Sequence, residues 1–501
     1  MSESEKNEII KMCPEKSTTN KMNVVQKVLN KVEKYVSPSE RKGGNSIEKK
    51  GTKKISGETI KKVRAAFLKS KIWPADTTIN IGFLTKNSYT KTPRTSTAVL
   101  KKTVDRNGVL LKLDPIQEEI EDMSVRDAII YTVMKRFNDI VYPEYKPASV
   151  TVDPNYKPMP LVNLKFNFFD PTDPSRKTLF NPNLADIKID FDPTGGAWSY
   201  IGTDTLEAKK GEESMNFGWF DVPTVLHEFG HAIGMVHEHS NPNGKPINWA
   251  VCHVTKWASE SQGWDAETIK ENIVEKYKVD QINGSEFDPR SIMLYFYPGN
   301  VLCKDEANKE APDITLGDVE NCFTGCKKVK GEIVACNTGL DKCNMPGKGT
   351  TQNLRFSPWD VLYINNIYRP ESSMTPEQLT VKFFNDNYGE QITSDDLTKQ
   401  LELTKERETK SEEYEYEEDE DYVDEEQERF ENELVKEMYE ELTEDTNKKL
   451  KERDERLKEN YEESVNGFPW WGWIIIALII IAVIILANKY KFELPDLPNI
   501  W

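Results

Sequence analysis

Apolar and polar positions alternate along residues 72–370 in a way that predicts strands and helices in mixed order. In TTINIGFL, at 77–84, Ile79, Ile81 and Phe83 fall on one face of an extended segment, and residues 162–169 and 185–191 (ADIKIDF) repeat that two-residue period. Between them, residues 124–141 carry the helical period behind Ser124, a residue suited to an N-cap. The pattern is that of a mixed α/β or α+β domain, and we take α+β as the fold class. Upstream, residues 1–71 are Lys-rich, and the short stripe Val24, Val25, Val28, Leu29 and Val32 predicts one amphipathic helix in a segment that is either a propeptide or a linker. Downstream, residues 371–466 are charged; the tract SEEYEYEEDEDYVDEEQE at 411–428 cannot bury enough apolar surface to fold alone and reads as an acidic, solvated stalk, partly helical or disordered. Phe430, Leu434, Met438 and Leu442 recur at helical spacing there, which predicts a lone charged helix or a helix that pairs with itself or a partner. Residues 468–487 (FPWWGWIIIALIIIAVIILA) form an unbroken apolar run of about the 20 residues that a bilayer-spanning helix needs. Trp470, Trp471 and Trp473 at one edge, with Lys489, Tyr490 and Lys491 at the other, are placed as interfacial anchors, so residues 467–488 read as one transmembrane helix and 489–501 as a short tail.

Composition fits that division. The chain has 501 residues, more than a single core usually organises, and its 37% hydrophobic and 30% charged content implies a globular core diluted by solvated stretches. A net charge of −18 argues against nucleic acid as a partner.

The stretch that carries chemistry is HEFGHAIGMVH. Residues four apart share one face of a helix, so His227 and His231 can offer two imidazole nitrogens to one ion, while Glu228 can reach a water beside it. Gly234 permits a left-handed turn that returns His237 as a third ligand. Three protein ligands with an open fourth position is the arrangement of a catalytic zinc, one ion per chain. Asp221 as N-cap and Pro223 in the first turn place this helix at about residues 223–233. The chain holds five His, and with the tripod complete, His239 and His253 read as packing or surface residues.

H-E-x-x-H-x-x-G-x-x-H is the metzincin signature, and the family's Met-turn is matched downstream by Ser291-Ile292-Met293-Leu294-Tyr295. Glu238 after the third His, Ser240-Asn241-Pro242 beyond it, and Tyr295 two places after Met293 resemble the astacin branch, with the matrixins as second choice. The stretches 196–202 and 214–219 look like strands preceding an astacin-like active-site helix, including the edge strand that binds extended substrate. Residues 356–368 look like the closing helix. The resemblance covers about residues 72–370 and departs where the usual Arg after H-E-Q is missing. It implies a twisted mixed sheet, an active-site helix, a Met-turn and a C-terminal helix. It implies a zinc metalloendopeptidase acting on protein or peptide substrates, with Glu228 as general base, Tyr295 as a zinc ligand that swings to stabilise the oxyanion, and Met293 packed under the ligands without binding metal. In astacins the glutamate matching Glu238 pairs with the N-terminus of the activated chain, which hints at proteolytic maturation. A metzincin fold that no longer cuts and serves as a membrane interaction protein is the alternative, against which an intact Glu228 argues.

Of seven Cys, six lie in the catalytic region: Cys252, and then Cys303, Cys322, Cys326, Cys336 and Cys343 in an insert at 299–352. The even set predicts three disulfides of open pairing; a second zinc site is the rival, but only C-x₃-C and C-x₆-C spacings occur. Cys13 reads as a free thiol, with a zinc-capping thiolate as the other reading. Disulfides argue for an oxidising compartment, whereas MSESEKNEII shows no recognisable signal peptide. A single-pass, C-terminally anchored protein of a viral or unusual host membrane reconciles the two, with the side of the catalytic domain left open.

Overall fold

The computed structural model describes residues 71–84, 112–153, 155–240, 247, 249–274, 287–294, 296–303, 316–329, 332–336, 349–350, 353–393, 397 and 425–466. The chain divides into two compact units, 1–443 and 444–501. In the first, five strands form one sheet: β1 (Thr78–Phe83), β2 (Lys165–Asn167), β3 (Ile187–Asp190), β4 (Ala197–Ser199) and β5 (Met215–Phe217), in the order β2-β1-β3-β5-β4. Neighbours pair in parallel except β4, which runs antiparallel to β5 at one edge, so the sheet is mixed.

Two of the predicted strands differ from their pattern for identifiable reasons. Alternation over 185–191 reads as a half-buried strand, yet Ile187, Lys188, Ile189 and Asp190 are all buried. β3 is flanked on both sides by parallel partners, and parallel strands are ordinarily covered on both faces. The Lys188 ammonium is accommodated by the Ala208 carbonyl, to which it donates at 3.1 Å. β2 is confined to three residues of the expected 162–169, because Phe169 pairs only in an isolated bridge with Leu179.

Helix α1 (Val125–Phe137) begins as expected, with the Ser124 hydroxyl accepting from the Asp127 amide at 3.2 Å. It stops before 141 because Asn138 turns its side chain to the sheet: its amide donates to Leu164 O at 2.6 Å, its oxygen accepts from Phe166 N at 3.1 Å, and Asp139 then takes a left-handed φ of 51°. That stop sets Phe137 at the junction of three elements. Its ring meets Phe166 of β2 at 5.5 Å, Phe229 at 6.1 Å and Phe356 at 5.7 Å, and Phe166 meets Phe229 at 5.7 Å. Phe229 belongs to α2 (Val222–Ala232), and Phe356 leads into the closing helix α5 defined below.

A second apolar cluster gathers Trp249, Val254, Ala258, Tyr297, Val301 and Val319 around α3 (Val251–Gln262) and α4 (Leu316–Gly325). The disulfide Cys252–Cys322 joins these two helices, and Cys303 is disulfide-bonded as well. Both facts remove these three cysteines from a second zinc site. β6 (Cys326–Val329) and β7 (Glu332–Cys336) form a hairpin in which Cys326 stands opposite Cys336; Cys343 lies outside the described residues.

The closing helix α5 (Pro358–Ile367) has a complete capping box between Ser357 and Asp360. A further helix, α6 (Pro376–Tyr388), falls in the segment read from its charge as stalk, but it buries Leu379, Thr380, Phe383 and Phe384. Asn387 and Tyr388 tie it to the buried Arg136–Asp114 pair, through Arg136 Nη1 at 2.7 Å and Asp114 Oδ2 at 3.2 Å. The charged helix expected around 430–442 is α7 (Glu425–Asn466), with i,i+4 ion pairs such as Lys436–Glu440 and Lys449–Asp445 along it. Leu442 is buried, while the side chains of Phe430, Leu434 and Met438 lie outside the described residues, as do the predicted N-terminal helix, Cys13 and the apolar run 468–487. Among the described residues no helix is long and apolar enough to cross a membrane.

Because Phe137 is fully buried at a three-way contact, Phe137→Ala is expected to cost about 3–5 kcal/mol of stability. The midpoint of urea unfolding checks this; an unchanged midpoint would mean that the ring does not join sheet, α2 and α5.

Candidate metal centre

α2 is set by local signals. The Asp221 carboxylate accepts from the Thr224 amide at 2.7 Å, Pro223 occupies the first turn, and the Val222 amide donates to Gln117 Oε1 at 2.9 Å. Observed at 222–232, the helix starts and ends one residue before the expected span. One turn separates His227 and His231, whose rings approach to 4.8 Å between centroids at 87°. After Ala232 the chain reverses at Gly234, whose φ of 101° is a left-handed conformation that suits glycine, and His237 comes back to the same point. The Nε2 atom of His237 lies 3.0 Å from that of His231 and 3.3 Å from that of His227.

Where the ring protons sit decides what this cluster can do. A carbonyl oxygen only accepts, so His227 Nδ1, 2.9 Å from Ile292 O, and His231 Nδ1, 2.8 Å from Met235 O, must each donate. In the neutral rings both Nε2 atoms then carry bare lone pairs aimed at His237 Nε2. His237 Nε2 can offer a proton to one of them at most, so the cluster has fewer protons than lone pairs. Charging the rings is no remedy: burial, followed by the neighbouring imidazoles, lowers His227 to about 3 and holds His237 well below its usual value. A cation equidistant from the three nitrogens resolves the conflict. Tetrahedral zinc with bonds of about 2.0–2.1 Å sets nitrogens about 3.3 Å apart, close to the observed spacing. The donor set therefore fits zinc, and among the described residues this is the group of His, Cys, Asp or Glu side chains that could hold a metal. Glu228, next to His227 on α2, is fully buried.

The Met-turn closes the site from below. Met293 is buried, and a Cβ at position 230 would stand 2.7 Å from its sulfur and 3.4 Å from that of Met235, so the absence of a side chain at Gly230 is what admits both thioethers beneath α2. Asp360 of α5 fixes the turn: its carboxylate accepts from Ser291 Oγ at 2.6 Å, Ile292 N at 2.9 Å and Ser357 N at 2.9 Å. Ile292 is the residue whose carbonyl holds the His227 proton, so α5 reaches His227 through two hydrogen bonds. Burial, with the Asp288 carboxylate nearby, pushes Asp360 up to about 7.

The remaining candidates divide. Glu238 is half-buried, and its carboxylate accepts from Asp288 N at 2.7 Å, which links the turn that carries His237 to the Met-turn. His239 is buried, stacked on His237 at 5.2 Å and bonded through Nε2 to Asn272 O at 2.8 Å, a packing role; His253 is half-buried on α3. Tyr295 lies outside the described residues. Sequence reasoning missed Trp73 and Tyr368, which bond the end of α2 from 159 and 135 residues away, a separation at which no local signal exists.

The family model Astacin (Peptidase family M12A) matches residues 180–300, from the segment before β3 through the Met-turn. That part of the chain is similar to the astacin metallopeptidases, in agreement with the resemblance to the astacin branch rather than the matrixins. Two solved structures of myroilysin also match. One is 20% identical, covers 61% of this chain and 98% of its own, and has a TM-score of 0.33; the other is 21% identical, covers 60% and 87%, and has a TM-score of 0.28. No curated protein matches.

Asp360 makes the fold's stability depend on pH. Its folded value of about 7 exceeds the ordinary 3.8, so its favourable contribution is complete below about pH 4 and is lost as pH rises toward 7. Metal-free protein is expected to lose up to about 1.4 kcal/mol per pH unit over that window through this group, and Asp360→Asn to flatten the profile. Denaturant midpoints of both proteins from pH 4 to 8 check the difference; parallel profiles would assign the carboxyl an ordinary titration.

Proposed function

We propose that this chain is a zinc-dependent metalloendopeptidase, in which His227, His231 and His237 hold one zinc ion and Glu228 is the general base. The observation that carries this reading is the convergence of three buried imidazole nitrogens whose lone pairs face one another because backbone carbonyls hold the protons of two of them. When bound there, zinc supplies Lewis acidity toward the scissile carbonyl and makes water more acidic. Glu228 takes a proton from the attacking water and delivers it to the leaving amine. Its full burial excludes competing solvent and strengthens its interaction with charge that develops nearby. Tyr295, two residues after the Met-turn methionine, donates to the oxyanion that forms on the substrate. The substrate is a protein or peptide that lies extended beside β4, the antiparallel edge of the sheet, where main-chain pairing supplies affinity.

The disulfide Cys252–Cys322 supports folding of this region in an oxidising compartment. Residues 468–487 serve as a single-pass anchor in a lipid bilayer, and the charged segment before them as a spacer whose helix α7 can self-associate.

Two measurements test the reading. The full chain and Glu228→Gln are both expected to hold one equivalent of zinc, with chelator-sensitive cleavage of an unstructured protein lost by at least about 100-fold in the variant. Zinc in both proteins and cleavage in neither would favour a silent binding protein; no zinc in either would refute the metal site. For the anchor, flotation with phosphatidylcholine vesicles is expected for the full chain and not for a chain ending at 466; equal flotation would reject it.

A further inference from the structure

The last carbonyls of a helix have no partners within it, and in α2 these are the carbonyls that lead into the third-ligand turn. Their partners can be followed one by one. Phe229 O and Gly230 O accept from the Ile233 amide, both at 3.2 Å, and Gly230 O also accepts from Met235 N at 2.9 Å. His231 O accepts from Gly234 N at 2.8 Å. The next two carbonyls are met by side chains from remote parts of the chain. Trp73 Nε1 donates to Ala232 O at 2.8 Å, and the Tyr368 hydroxyl donates to Ile233 O at 2.7 Å while accepting from Trp73 N at 3.2 Å. Both side chains are 2% exposed, so water does not substitute for them.

These two bonds bracket the point where the chain reverses. Ala232 and Ile233 immediately precede Gly234, and Met235, just after it, supplies the carbonyl that orients His231. The far sides of the latch are fixed as well. Lys71, two residues before Trp73, forms a buried ion pair with Asp204 at 3.1 Å, and Tyr368 O accepts from Asn163 N at 3.0 Å. A tilt of the last turn of α2 would break a bond to a buried carbonyl at once, and it would move His231 and His237 relative to each other.

We propose that Trp73 and Tyr368 are positioning residues for the metal ligands: as one hydrogen-bonded pair they lock the carbonyl end of the ligand helix and thereby set the distance between His231 and His237. Neither touches the ligands or the reacting atoms. The inference rests on the zinc reading above and extends it to residues outside the motif and outside the matched segment 180–300.

Tyr368→Phe removes the hydroxyl and keeps the ring; Trp73→Phe removes the indole N–H. Thr375→Ala, which removes the cap of α6, serves as a control that loosens the fold without reaching α2. In the full chain, zinc affinity measured by chelator competition is expected to fall about 10–100-fold in each of the first two variants and to stay unchanged in Thr375→Ala. The visible spectrum of the cobalt-substituted protein is expected to change in the first two and not in the control. Double substitution is expected to cost less than the product of the single losses, because the two side chains act as one unit. Unchanged zinc affinity and an unchanged cobalt spectrum in Tyr368→Phe, with a melting temperature lowered no more than in the control, would overturn the proposal, and either variant alone is decisive. If the unmodified chain binds no zinc, the metal reading itself fails; if it binds zinc and the variants bind equally, only the positioning role fails.

Discussion

Imidazoles can be buried with their nitrogens in contact only if their protons are held somewhere else. In this chain the carbonyls of Ile292 and Met235 hold them, and most of the architecture around the site serves to keep those two carbonyls in place. Ile292 belongs to the Met-turn, whose backbone is gripped by Asp360 from the closing helix. Met235 belongs to the reversal after α2, whose preceding carbonyls are gripped by Trp73 and Tyr368. The three histidines lie within eleven residues of sequence, but the groups that decide their protonation are fixed by segments that precede and follow that stretch along the chain.

Packing supplies the rest of that constraint. Phe137, Phe166, Phe229 and Phe356 meet edge to face or tilted, and they bring α1, β2, α2 and the approach to α5 to a single point. Aromatic pairs of this kind add about 0.5–1.5 kcal/mol each beyond the area they bury, and their preferred angles restrict how the helices can rotate. Rotation of α2 about its axis would swing Phe229 out of the cluster and the two histidines away from His237, so the same helix face-to-face relation serves stability and the geometry of the histidine cluster. Met293 and Met235 fill the space left at Gly230 with soft side chains that tolerate a close approach.

What could be read from the sequence follows from how local each signal is. α2 was legible to within one residue because its cap, its proline and its four-residue histidine spacing all lie within a few positions of one another. The strands were legible in place but not in environment. In β3, Lys188 and Asp190 suggested a solvent face, and only the sheet order, with parallel partners on both sides, explains their burial. α1 stopped early for a reason outside the helix, since Asn138 finds its partners at Leu164 and Phe166. α6 was hidden by the charge of its surroundings, although its apolar face is well formed. The proton-holding and carbonyl-capping contacts of the site were illegible: Asp360 to Ile292 spans 68 residues, and Trp73 to Ala232 spans 159.

The buried ion pairs show how such distant segments find their places. Lys71 pairs with Asp204, and Arg136 pairs with Asp114 through Nε at 2.8 Å, with all four side chains almost fully buried. Pairs of this kind add little net stability, because desolvation offsets their attraction; breaking one costs about 3–5 kcal/mol, because it strands a charge in the interior. Their effect is thus on which arrangement forms. A displaced Lys71 would break its contact with Asp204 and would also withdraw Trp73 from the end of α2. A displaced α6 would withdraw Tyr388 and Asn387 from the Arg136–Asp114 pair, whose arginine lies on the helix that carries Phe137. The charged pairs therefore specify the same arrangement that the aromatic cluster and the carbonyl contacts stabilise, and the histidine cluster sits where these three kinds of constraint intersect.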